Sequence, residues 1–92
     1  MKIFDIFHER DRVAEVRVLD SGEVELDSPQ TEIVNLYMLI KENGLGVMKL
    51  VNETEEKISE RVDYLPLSGK TVGLFLQNIF ALGCDIVERE EV

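Results

Sequence analysis

Apolar and polar positions alternate along this chain with two different periods, and each change of period marks an element. Over residues 12–19, Ala14, Val16 and Val18 fall on one side and Glu15 and Arg17 on the other. Over 23–27, Val24 and Leu26 oppose Glu23, Glu25 and Asp27. A period of two is that of a strand with one face in a core. Asp20-Ser21-Gly22 between them makes a hairpin. A two-residue loop would pair Val18 with Glu25 and mix apolar with acidic side chains. A three-residue loop pairs Val18 with Val24 and Val16 with Leu26, with Gly22 in the left-handed conformation. The pattern selects the longer loop, which sets Arg17 opposite Glu25 and Glu15 opposite Asp27.

Residues 28–44 change to the helical period. Ile33, Leu36, Tyr37 and Ile40 share a stripe, with Thr31, Asn35 and Glu42 on the opposite side. Ser28 suits the N-cap, Pro29 the first helical position and Gly44 the stop. Val34 and Met38 flank the stripe and Leu39 breaks into the polar side. This surplus calls for a second packing partner, either the other helix or another subunit.

The remaining segments follow by the same rules. Residues 2–7 form a first strand that turns through His8-Glu9-Arg10-Asp11, and 47–51 a strand followed by a polar turn at 52–56. In 57–64, Ile58, Val62 and Tyr64 alternate with Ser59, Arg61 and Asp63, although Glu60 falls on the apolar side. A short helix would also suit Ile58 and Val62; the β-prone residues and the following Pro66 favour a strand. Ser68 caps a second helix running to Leu82, with Val72, Phe75, Leu76, Ile79 and Phe80 inward and Gly83 as its stop. Gly69 and Gly73, four apart, would let another backbone approach. Residues 84–89 form the last strand, and 90–92 fray. The order βββ-α-ββ-α-β describes a single α+β domain over 1–92, a two-layer sandwich with both helices on one face of a mainly antiparallel sheet.

Composition narrows the function classes. Ninety-two residues can bury about 60–65% of the extended chain's surface, enough to fold without disulfides. Nineteen acidic against ten basic residues give a net charge of −9, which repels nucleic acid and anionic lipid. No apolar run approaches the ~20 residues that span a bilayer and no export signal is visible, so the cytoplasm is expected. Cys84 is the only cysteine and reads as a small buried hydrophobe; the only histidine, His8, is too distant in sequence to suggest a catalytic pair. Gly69-Lys70-Thr71 resembles the end of a phosphate-binding loop, but Tyr64 stands where its first glycine belongs. Zinc-binding, EF-hand and serine-nucleophile motifs are absent from the sequence.

Acidic clustering is the informative chemistry. Between Arg17 and Lys41 there is no basic residue, whereas Asp20, Glu23, Glu25, Asp27 and Glu32 all occur. Glu15 facing Asp27 is a like-charge pair that requires compensation. Solvent, salt and the positive end of the first helix supply one form of it. The alternative is a hard divalent cation such as Ca²⁺, held by Glu15, Glu25 and Asp27 with waters and with Asp20 or Glu23. The acidic composition and layout resemble the small, acidic, uncharacterised proteins of archaea such as methanogens, some described as calcium binders. The likeness covers the chain in overall character, without a shared motif, and assigns no residue. Two other classes stay open: an interaction module that binds a basic protein surface or a second copy of itself, and an enzyme using a carboxylate pair, for which the sequence indicates no pocket.

Overall fold

A computed structural model describes residues 1–54, 57–80 and 83–90. The elements are β1 (Lys2–His8), β2 (Asp11–Val18), β3 (Val24–Asp27), α1 (Thr31–Asn43), β4 (Leu45–Thr54), β5 (Lys57–Leu65), α2 (Val72–Phe80) and β6 (Asp85–Glu90). The order is the expected one, and 57–64 lies in a strand. The strands form two antiparallel sheets: a four-stranded sheet ordered β3-β2-β1-β6 and a separate β4-β5 hairpin.

The β2-β3 register is the one the apolar pattern requires, with Val18 opposite Val24, Val16 opposite Leu26, Arg17 opposite Glu25 and Glu15 opposite Asp27. Leu19 N–H donates to the Glu23 carbonyl at 2.8 Å, and Gly22 has a φ of +88°, closing the loop over Asp20, Ser21 and Gly22. Between β1 and β2 the register shifts after Ile6, because Ile6 faces Ala14 and Phe7 faces Arg12. Val13 is thus an extra residue, and it is buried with Ala14.

Both helices cover one face of the four-stranded sheet. Ile6, Val16, Val24 and Leu26 from the sheet meet Tyr37 and Ile40 of α1 and Val72, Phe75, Leu76 and Phe80 of α2 in one core. Phe75 is central, edge-on to Tyr37 at 6.4 Å and to Phe80 at 6.1 Å between ring centroids. The Tyr37 hydroxyl donates to the Val24 carbonyl at 2.8 Å, so the ring is buried without an orphaned polar tip.

Both helices start later than their end signals suggest. Gln30 precedes α1 with no side-chain cap; the Ser28 hydroxyl instead donates to the Val13 carbonyl at 2.6 Å and accepts from Gln30 N–H. Ser28 therefore ties the β3-α1 connection to β2. Residues Ser68 to Thr71 form a turn in which the Thr71 hydroxyl accepts from Ser68 N–H and donates to the Pro66 carbonyl at 2.7 Å. The expected end of this helix at Leu82 lies outside the described residues. Gly69 makes its close approach inside the chain: a Cβ there would lie 3.1 Å from Val18 Cγ1, and its N–H donates to the Gly22 carbonyl. Leu36, assigned to the core stripe, is 39% exposed at the edge of α1.

The β4-β5 hairpin is longer than expected and leaves the body as an arm, giving extents of 50 × 31 × 21 Å. The radius of gyration is 15.3 Å, against about 12 Å for a compact chain of this length. Leu45 at its base is buried; beyond it, no side chain of β4 or β5 is.

Candidate functional sites

The solvent face of the four-stranded sheet carries the expected acidic group. Cross-strand pairing brings Glu15, Glu25 and Asp27 together, and the neighbouring pair of Asp5 and Glu15 adds a fourth carboxylate. Three arginines lie among them. Arg17 pairs with Glu15, with Asp27 and, at 3.3 Å, with Glu25. Arg89 of β6 donates to Asp5 Oδ2 at 2.7 Å and to Glu15 Oε1 at 2.8 Å. Arg12 reaches Glu15 at 3.2 Å and Asp5 at 3.8 Å. Hydrogen bonds that Arg17 donates to the carboxylates of Asp27, Glu15 and Glu25 hold its guanidinium proton more tightly than usual, with burial acting the other way.

The repulsion between Glu15 and Asp27 is thus bridged by a guanidinium of the same chain. Asp20 and Glu23 stand apart from this group: Asp20 pairs with the N-terminal amine at 3.0 Å and Glu23 with Lys41 at 3.9 Å. Among the described residues, no group of three or more histidine, cysteine, aspartate or glutamate side chains is arranged to hold a metal ion. Sequence reasoning missed Asp5, Arg12 and Arg89. Arg89 is 74 residues from Glu15, and only the pairing of β6 with β1 brings it near.

That pairing also brings the lone histidine and the lone cysteine to one cleft. The β1-β6 pairing ends at Phe7 opposite Asp85, and His8 and Cys84, the next residues on either strand, both line a cleft of about 410 Å³ between α1 and α2. Distance in sequence was therefore a poor reason to separate them. Among the described residues, however, no hydrogen bond joins the imidazole to the thiol, as activation of a nucleophile would require. A second cleft, of about 510 Å³, lies at the base of the arm, between Ile40 of α1, Val47 and Met48 of β4, and Leu74 and Ile79 of α2.

The arm is the larger departure from a self-contained domain. Cross-strand partners place Gly46, Met48, Leu50 and Asn52 on one face with Tyr64, Val62, Glu60 and Ile58. Five of these eight are large and apolar, and all five are exposed: Met48 65%, Leu50 71%, Ile58 65%, Val62 50% and Tyr64 66%. The Tyr64 ring lies over Gly46, where a Cβ would be 3.6 Å from Cε1. The opposite face bears Lys49 paired with Asp63 at 3.4 Å and Arg61 paired with Glu53 at 3.2 Å. The arm is therefore amphipathic, with its apolar face in solvent.

Compared with protein-family models, curated proteins and solved structures, the chain matches none. Among the described residues no helix is long and apolar enough to cross a membrane.

Proposed function

We propose that this chain is a non-enzymatic interaction domain that works as a homodimer, with the β4-β5 arm as its contact surface. The observation that carries this reading is the exposed apolar face of Met48, Leu50, Ile58, Val62 and Tyr64. A two-stranded hairpin is marginal by itself in water and needs a third strand or a packed face. These five side chains expose on the order of 600 Å², the upper end for the largest apolar patch of a monomer. A second copy supplies the missing cover.

Charge favours a second copy at this face over a basic partner. Residues 45–65 carry three basic and five acidic side chains, whereas the rest of the chain carries seven and fourteen. The arm thus carries a net charge of −2 against −7 for the rest of the chain, so a contact made through an arm meets less repulsion than one of body against body. A basic protein would instead be drawn to the acidic body. The lone thiol suits a reducing compartment, and the cytoplasm is the location we propose. Calcium binding is supported less, because guanidinium groups stand between the carboxylates that would form the site.

Sedimentation equilibrium over a wide concentration range tests the reading. The wild type is expected to dimerise, and Leu50→Glu, which sets a charge on the apolar face without touching the core, to remain a monomer with an unchanged circular dichroism spectrum. A wild type that stays monomeric at the highest concentration would falsify it.

A further inference from the structure

We infer that the dimer is closed by reciprocal exchange of arms: the apolar face of each arm lies in the groove between α1 and α2 of the other copy. This rests on the homodimer reading and specifies its geometry. The two clefts described above share Ile79 and run end to end between the helices, from Met48 at the base of the arm to Cys84 at the far end. The floor and walls are mostly apolar, with Ile33 and Ile40 from α1 and Phe80 from α2. Leu36 and Leu74 stand at the rims, each 39% exposed.

The chain therefore has an exposed apolar ridge and a groove floored by core residues and walled by the half-buried Ile33 and Ile79, and the ridge starts where the groove ends. Packing arm against arm would cover the ridge and leave the groove open. A two-fold arrangement in which ridge meets groove covers both, and does so twice. The lengths agree: from Met48 to Asn52, the partner of Ile58, the arm advances about 13 Å, while α1 advances about 10 Å from Ile33 to Ile40. With the exposed parts of Leu36 and Leu74 added to the arm, each copy contributes on the order of 700 Å², within the range of a standard interface. In this arrangement, the tip of the arm reaches the partner's Cys84, and the base of the arm does not.

The native thiol makes the arrangement testable by cross-linking. Ile58→Cys and Leu50→Cys place a thiol near the tip of the arm, and Tyr64→Cys places one at its base; all three positions are at least 65% exposed and tolerate the change. After dimerisation is established under reducing conditions, mild oxidation is followed on non-reducing gels and by peptide mass mapping. We expect a tip variant to convert to covalent dimers linked between the introduced thiol and the partner's Cys84, at least tenfold faster than Tyr64→Cys. If the wild type dimerises but neither tip variant forms that link, or the introduced thiols join only to each other, arm exchange is overturned and the homodimer stands. The same link within one chain also overturns it, since the arm would then fold back on its own groove. A monomeric wild type overturns both.

Discussion

The solvent face of the four-stranded sheet and the apolar face of the arm are both antiparallel surfaces turned to water, yet they are built in opposite ways. On the sheet, Asp5, Glu15, Glu25 and Asp27 are matched by Arg12, Arg17 and Arg89, so the charges find their partners within one chain. On the arm, the ion pairs occupy one face and the other presents five large apolar side chains to solvent. The first surface pairs its charges within one chain, although Asp5 Oδ1 is buried without a hydrogen bond, whereas the second leaves its apolar side chains in solvent. The difference teaches that clustered acidic residues need not be left without counter-charges once the strands are paired.

The largest expected contrast comes from removing apolar side chains on either side of this division. Phe75 is fully buried, and Phe75→Ala should cost about 3–5 kcal/mol. Leu50→Ala, measured at concentrations where the chain is monomeric, should cost no more than about 0.5 kcal/mol. Urea denaturation followed by circular dichroism measures both. A cost for Leu50→Ala approaching that of Phe75→Ala would mean that the arm is packed within the monomer, and the comparison would collapse.

A smaller effect sharpens the account of the sheet face. Arg17→Met leaves Glu15, Glu25 and Asp27 without their shared partner. The side chain of Arg17 is 22% exposed, and those of Glu25 and Asp27 are 44% and 67% exposed. Solvent screening therefore reduces the cost of a broken pair to about 1–3 kcal/mol. The vacated space would also be open to a cation, so millimolar Ca²⁺ should raise the melting temperature of Arg17→Met more than that of the wild type. An equal rise in both proteins, mapped by amide NMR to Glu15, Glu25 and Asp27, would show that the native face binds the ion despite its arginine.

The smallest effect concerns the turn that sets this face in register. A Cβ on Gly22 meets nothing within 4 Å, so the cost of Gly22→Val is that of the backbone at φ +88°. We expect about 1–2 kcal/mol, read as a lower urea midpoint with unchanged Arg17 to Glu25 backbone NOEs. A slipped register in the variant would show that the loop, rather than the apolar pattern, chooses the pairing.

The β2-β3 register was readable from sequence because a slip of one residue would move Val16 and Val18 to the charged face, a penalty visible in the residues themselves. The same locality made Val72, Phe75, Leu76 and Phe80 recognisable as the inward side of α2. Helix starts were less legible: Ser28 and Ser68 are good caps in isolation, but the Ser28 hydroxyl bonds to Val13, fifteen residues back, and Ser68 is drawn into a turn with Thr71. The alternation of Ile58, Val62 and Tyr64 identified a strand without saying whether its apolar face met a core or solvent, since periodicity records that a face exists and not what lies against it. The order β3-β2-β1-β6 brought Arg89 to Glu15, and His8 and Cys84 to one cleft, across most of the chain's length. Local chemistry therefore determined the elements and one hairpin, because turn geometry and side-chain period act over a few residues. The tertiary structure alone decided which charges were already neutralised and which apolar face was left uncovered, because both depend on neighbours that strand order supplies.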